Sequence, residues 1–299
     1  MSPFKLLDVT FRDGGHLNDF HVEESHLSQI LTALEASGID YAEVGYRNGA
    51  ISPIANIGKA GLCLEPYLED CQRYLSHTKM AVMAHCKNIV KEDLQSLKDH
   101  GVTLVRLCIE KGQHEKSFAF IEAAKEIGLE VSANLIHISQ YEVSEVYKVV
   151  EQLLRFQPNL IYFADSNGCM HPHRVKELYQ HCTTHYKTVF GFHAHNNIGL
   201  AQTNTLASLL GGAQFIDASL GGAGKGIGNL RLEFIVAYLH SVQEYRYELD
   251  PLIEASNAIL TWFPECGKVS KGEFLRGILD LSTKQMKEYL ENAKKGALE

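Results

Sequence analysis

The sequence predicts one α/β domain, a (β/α)8 TIM barrel with a short helical C-terminal extension. Three observations carry the prediction. Eight β-rich runs alternate with amphipathic stretches from residue 5 to residue 244. Several of those stretches stop at a glycine just before the next run, as at Gly38, Gly101 and Gly128. No G-x-G-x-x-G turn follows the first strand, which argues against a doubly wound open sheet.

The predicted strands cover residues 5–10, 41–45, 79–84, 104–109, 130–135, 160–164, 188–193 and 215–219. Between them, helices are expected at 24–37, 91–100, 116–127, 142–156 and 173–185, with the eighth helix at 230–244. Their apolar residues recur at i, i+3 and i+4, as Leu27, Ile30, Leu31 and Leu34 do in the first. Residues 52–76 are less regular and read as an insertion over the barrel mouth. The catalytic barrel is expected to span 1–248, followed by a helical extension at 249–299. Leu252, Ile253, Ile259, Leu260, Trp262 and Phe263 give that tail an apolar face for packing on the barrel or across a homodimer.

Composition excludes several roles. A formal charge of −8, with both signs interspersed and no long basic run, does not suit nucleic acid. No apolar run is long enough for a membrane helix, and the polar start Ser2-Pro3-Phe4-Lys5 does not read as a signal peptide. The seven scattered cysteines, without a C-x-x-C pair, read as reduced thiols. A cytoplasmic enzyme is the expectation.

In such a barrel the carboxyl ends of the strands meet at one mouth and build the active site. Arg12, Asp13 and His16 follow the first strand, and Glu43 and Arg47 end the second. His85 follows the third strand, Arg106 lies on the fourth, and Asn134 and His137 mark the fifth. Asp165, Ser166 and Asn167 follow the sixth, His193 and His195 end the seventh, and Asp217 lies on the eighth. Alternate strand residues face the same way, so His193 and His195 can present both imidazoles to one point. With an aspartate from a distant strand end they form a two-histidine, one-carboxylate set that leaves coordination positions open.

Three motifs then share a resemblance. Arg12-Asp13-Gly14, His193-x-His195-Asn196-Asn197 and the run Asp217–Asn229 resemble the metal-dependent pyruvate-type aldolase and lyase superfamily. That superfamily includes 4-hydroxy-2-oxovalerate aldolase, hydroxymethylglutaryl-CoA lyase, and the isopropylmalate and homocitrate synthases. The order is right over residues 7–233, and the hydroxy-oxo-acid aldolases are the nearest branch. His16, three residues after Asp13, is similar to their base, and the Asp165-Ser166-x-Gly168 turn is similar too. The loop 221–229 lacks the cysteine of the acyl-CoA lyases, and Asn196-Asn197 replaces the Asn-Asp of the condensing synthases. Arg47 and the stretch 106–113 depart from the aldolase pattern.

The resemblance implies a divalent cation, Mn²⁺ or Mg²⁺ before Co²⁺ or Zn²⁺, held by Asp13, His193 and His195 with Asn229 as a further ligand. It implies that Arg12 steadies a developing oxyanion and His16 exchanges the substrate hydroxyl proton. The substrates would be a 2-oxo acid and an aldehyde. Glu43 is assigned to the catalytic group, with pairing to Arg12 or Arg106 as its alternative. Arg47 is assigned to a substrate carboxylate or phosphate, and Asn134, Asp165 and Ser166 to substrate contact. The glycine-rich loop 221–229 reads equally as a phosphate seat or as a tight structural loop, and Lys225 in it reads as solvated. Those aldolases dock an acylating dehydrogenase through a longer C-terminal domain, and the shorter tail here argues against that partner. A Claisen-type synthase, a non-catalytic metal-retaining barrel and an aldolase acting on sugar-derived substrates remain the alternatives. A Schiff-base mechanism is disfavoured because Lys79 opens its strand, at the opposite rim.

Overall fold

The computed structural model describes residues 3–296, in which eight parallel strands close into one barrel. They are β1 (Lys5–Asp8), β2 (Tyr41–Arg47), β3 (Lys79–His85), β4 (Val102–Ile109), β5 (Glu130–Leu135), β6 (Leu160–Asp165), β7 (Val189–Ala194) and β8 (Phe215–Ala218). Each pairs with its neighbour in sequence, and β8 closes on β1 with Leu7 opposite Asp217. Helices α1 (Glu24–Ala36), α2 (Glu65–Gln72), α3 (Lys91–Asp99), α4 (Phe118–Glu126), α5 (Val143–Leu154), α6 (Pro172–His185), α7 (Ala201–Leu210) and α8 (Leu232–Ser241) connect the strands. Each turns an apolar stripe to the sheet; in α1 it is Leu27, Ile30, Leu31 and Leu34, all buried. Among the described residues no helix is long and apolar enough to cross a membrane.

The two-residue strand period stacks the barrel interior in layers. Lowest is an apolar plug of Leu7, Tyr41, Leu104, Leu160, Tyr162 and Phe215. Tyr162 finds room because Gly191 lies opposite it in the register; a Cβ there would collide with the ring. Two residues further along β2, β4 and β8 come Glu43, Arg106 and Asp217, a charged layer fully closed from solvent. The Arg106 guanidinium sits 4.3 Å from the Tyr162 ring centroid and donates to Glu43 (3.0 Å) and Asp217 (2.7 Å). Two residues beyond Gly191 on β7 stands His193.

The bulge in β2 decides which side chains reach the mouth. Its pairing with β3 shifts register between Glu43 and Tyr46, and Gly45 there takes φ +155°. The extra residue turns Tyr46 inward and Arg47 outward. Arg47 donates to Asp93 (2.9 Å), Glu65 (2.9 Å) and the Cys63 carbonyl (2.8 Å), between the strand and α2–α3. The expected clamp at Arg47 is therefore corrected: its guanidinium is consumed by structural carboxylates. The segment 52–76 is also more than an insertion over the mouth. It is the β2–β3 crossover and carries α2, whose Tyr67 hydroxyl donates to the Val44 carbonyl (2.9 Å).

Helix α9 (Asp250–Trp262) packs on α1, stacking Trp262 on His26 with ring centroids 3.7 Å apart. Helices α10 (Lys271–Ile278) and α11 (Thr283–Gly296) continue to the carboxyl end of the barrel. Between them Asp280 accepts from Ser139 Oγ and Asn167 Nδ2, both at 2.7 Å, and Cys169 Sγ lies 3.1 Å away. The tail thus packs on the barrel, at its mouth.

Candidate metal centre and active site

The carboxyl ends of the strands enclose a cavity of about 640 Å³. Asp13, on the turn after β1, and His193 and His195, from β7, meet in it, with one ligand atom from each lying within 4.8 Å of the others. All three residues are buried. His193 Nδ1 lies 3.1 Å from Asp217 Oδ2, so the protonated Nδ1 donates to the carboxylate and Nε2 is the lone-pair nitrogen. That nitrogen faces His195 Nε2 at 3.3 Å, and His195 Nε2 lies 3.8 Å from Asp13 Oδ2. Burial pushes His195 down to about 3 against the opposing charge of Asp13, so its imidazole is neutral and available as a ligand. Burial opposes the charge on Asp13, but the positive groups around it, Arg12 and Lys225 among them, outweigh it and hold the carboxyl well below its usual range.

Asn229 completes the constellation. Its Nδ2 donates to Asp13 Oδ2 (2.9 Å) and the Ala223 carbonyl (3.0 Å), while its buried Oδ1 has no hydrogen-bond partner. A buried amide oxygen without a donor is costly unless something else takes its lone pair. The glycine-rich loop allows this approach: a Cβ on Gly224 would stand 2.6 Å from Asp13 Oδ2. Two facing imidazole nitrogens, an ionised carboxylate and an orphaned amide oxygen make a donor set that suits a divalent cation.

Arg12 stands beside this cluster. Its Nε donates to Glu43 (2.6 Å) and its Nη1 to Asp13 Oδ1 (2.8 Å), with Nη2 3.9 Å from Asp217. Glu43 is not on the cavity wall; it links Arg12 to Arg106 and fixes the angle of the guanidinium. Asn134 reaches the wall, its amide turned so that the oxygen accepts from Arg106 Nη2 at 2.9 Å. Ser166 also lines the cavity while its Oγ accepts from the His137 amide (2.9 Å). Asp165 does not: it is fully buried and accepts from the amides of Cys169 and Met170, both at 3.0 Å, as the brace of its turn. The substrate contact expected of Asp165 is corrected accordingly.

His16 is half-buried and packs edge-on against Phe20 (4.7 Å) and Tyr46 (6.0 Å), off the cavity wall. Its Nε2 has no partner, and burial pushes the ring down to about 3. Tyr46 and His85 occupy the wall itself, stacked with centroids 5.4 Å apart. His85 Nε2 is likewise buried and unpartnered, and burial pushes that ring to about 3. Lys225, expected to be solvated, instead lines the cavity, where burial lowers its pKa. Arg276 and residues 282–285 of the tail form the far wall. An arginine on an amphipathic tail helix carries no sequence signal that separates it from a solvated one. Tyr46 was hidden by the bulge that reverses strand parity.

A barrel with a histidine–carboxylate cluster at its carboxyl end and an arginine beside it has the donor set for a divalent cation next to a fixed positive charge. Residues 3–259 match the profile of the HMGL-like family, and the chain belongs to that family. It is 32% identical over 238 residues to the 4-hydroxy-2-oxovalerate aldolase of Carboxydothermus hydrogenoformans, covering 79% of this chain and 70% of that one. The Pelotomaculum thermopropionicum enzyme of the same name is 31% identical over 238 residues, covering 79% and 69%. Among solved structures, the N-terminal domain of a candidate aldolase from Bacteroides vulgatus superposes with a TM-score of 0.85 at 27% identity, covering 96% of both chains. The HMG-CoA lyase of Bacillus subtilis shares the fold, with a TM-score of 0.76 at 17% identity over 91% of this chain and 97% of that one.

Proposed function

We propose that this chain is a divalent-metal-dependent aldolase that cleaves or forms the C3–C4 bond of a 4-hydroxy-2-oxo acid, as its 4-hydroxy-2-oxovalerate aldolase relatives are named for doing. The observation that carries the reading is the convergence of Asp13, His193 and His195 on one point, with the orphaned Asn229 oxygen and Arg12 alongside. These four ligands would hold the cation, Mn²⁺ or Mg²⁺ by the resemblance. When bound, the cation supplies Lewis-acid stabilisation for negative charge developing on the keto oxygen.

The protein's own groups do the rest. In the cleavage direction a neutral imidazole removes the C4 hydroxyl proton, the C3–C4 bond breaks to release the aldehyde, and its electrons pass to the 2-oxo acid half as an enolate. A proton then returns to C3 and gives pyruvate or a homologue. Arg12, held rigid by Glu43 and Asp13, donates to the oxygen on which that charge grows. His16 is the proton carrier by its spacing from Asp13, and its neutral, partnerless Nε2 supports that role. A second reading rests on His85, whose partnerless Nε2 belongs to a residue on the cavity wall.

The test is pyruvate release from racemic 4-hydroxy-2-oxo acids of varied chain length, with Mn²⁺ or with EDTA. Wild type, His193→Ala, His16→Asn and His85→Asn are compared. Release that needs Mn²⁺ and is lost in His193→Ala supports the aldolase, and the base is whichever asparagine variant loses about 10²–10⁴-fold in kcat. No release from any acid while Mn²⁺ binds tightly overturns the reading.

A further inference from the structure

The cavity holds more positive charge than the 2-oxo acid half of a substrate can use. Most of its cations are matched. Arg12 is paired with Glu43 and Asp13, Lys111 with Glu145 (2.8 Å), and Arg276 with Glu273 (2.8 Å). Lys284 lies 4.0 Å from Glu288. Among the described residues, Lys225 and Lys87 are the cavity cations with no carboxylate in ion-pair range. Lys87 Nζ at the rim donates only to the Ile51 carbonyl (2.7 Å). Lys225 is anchored through its backbone amide to Asp13 Oδ2 (3.2 Å), so its side chain starts beside the metal cluster.

Both side chains line the one cavity, which also exposes His85, His137 and His195 from the ends of β3, β5 and β7. The charged layer beneath is already balanced, with two arginines facing two carboxylates. A divalent cation on Asp13 and two neutral imidazoles leaves a single positive charge, which the carboxylate of a 2-oxo acid cancels. The two lysines then remain without a balancing carboxylate, and among the described residues Glu110 is the one acid of the wall outside any ion pair.

We propose that Lys225 and Lys87 seat a second anionic group, a carboxylate or a phosphate monoester, carried on the aldehyde-derived half of the substrate. The cavity of about 640 Å³ has room for an acceptor larger than a simple two- or three-carbon aldehyde. Lys225 sets the near end of the seat, next to the reacting carbons, and Lys87 the far end at the rim. The substrate class is thus a 4-hydroxy-2-oxo acid with a charged distal terminus. This inference rests on the aldolase reading for the identity of the acceptor, but the seat itself can be examined without turnover.

The experiment has two arms on the full chain, comparing wild type with Lys225→Met, Lys87→Met and Lys225→Arg. In the binding arm, calorimetry follows inorganic phosphate and succinate, with and without Mn²⁺. Wild type and Lys225→Arg should bind one of the two anions in a salt-sensitive manner, and each methionine variant should lose about 10–100-fold in affinity. In the turnover arm, aldol addition of pyruvate to glyceraldehyde 3-phosphate, succinic semialdehyde and propanal is compared by kcat/KM. One anionic acceptor should be preferred over propanal, and the preference ratio should fall about 10–100-fold in the methionine variants. Which acceptor leads separates a phosphate seat from a carboxylate seat. Unchanged anion binding in both methionine variants, or an unchanged preference ratio, overturns the seat. Lysine-dependent anion binding with no addition to any aldehyde leaves the seat standing and fails the aldolase reading instead.

Discussion

Asp217 accepts the Nδ1 proton of His193 at 3.1 Å while its same oxygen takes Arg106 Nη2 at 2.7 Å. One carboxylate oxygen therefore ties the Asp13–His193–His195 cluster to the buried charged layer below it. The contact fixes which imidazole nitrogen faces His195, and it raises the basicity of that nitrogen. Asp217→Asn is expected to weaken Mn²⁺ binding about 10–100-fold. It also leaves Arg106 with Glu43 as its sole carboxylate, so the variant should lose roughly 3–5 kcal/mol of stability. Chelator competition measures the first effect and urea unfolding in EDTA the second. Wild-type Mn²⁺ affinity in Asp217→Asn would show that the hydrogen bond does not set the tautomer.

Much of this arrangement was legible in the chain. Eight strands at regular spacing and an H-x-H pair at the end of the seventh are period-two signals, and the barrel follows them closely. Arg47 marks where that signal fails. A regular strand keeps residues four apart on one face, but the bulge at Gly45 reverses parity after Glu43 and sends Arg47 outward. The tail failed differently. Arg276 and residues 282–285 meet the mouth through tertiary docking at Asp280, and no local pattern encodes that.

The position of Arg47 gives a sharp expectation. Its partners Asp93 and Glu65 are partly exposed, so Arg47→Met should cost roughly 1–3 kcal/mol, between the limits for surface and buried pairs. KM for the 2-oxo acid should stay within about twofold of wild type, since nothing on the cavity wall changes. A lower Tm with unchanged KM is the predicted result, and a large rise in KM at normal stability would return Arg47 to the substrate.

Acid should destabilise the fold through His85. Burial first, then Lys225, Lys87 and Arg12, depresses its pKa to about 3, against 6.5 for the free side chain. Between those values the unfolded chain holds a proton that the folded chain does not. Stability from this group is complete above about pH 6.5 and falls as the pH drops toward 3, by up to about 1.4 kcal/mol per pH unit. Asp8 and Asp165, raised by burial to about 7 and about 6, work in the opposite direction. The clean measure is therefore a difference: the stability of wild type minus that of His85→Asn, in EDTA, should shrink steadily from pH 6.5 to pH 4. A difference independent of pH would mean that His85 is protonated in the folded protein.

Asp280 joins the tail to the barrel and so joins the tail to the cavity wall. It accepts from Ser139 and Asn167, on the loops after β5 and β6, while four residues earlier Arg276 lines the cavity. Asp280→Ala removes both hydrogen bonds and leaves two donors unsatisfied at the mouth, worth about 1–3 kcal/mol for each group that water does not reach. The barrel core lies elsewhere, so the loss should appear as local opening of residues 271–296 rather than as global unfolding. Hydrogen exchange should accelerate in that segment while β1–β8 stay protected. The far wall of the cavity loosens with it, so KM should rise about tenfold with a smaller change in kcat, as expected when binding contacts are lost without harm to the reacting groups. Exchange unchanged in 271–296 would show that the apolar faces of α10 and α11, not Asp280, hold the tail in place.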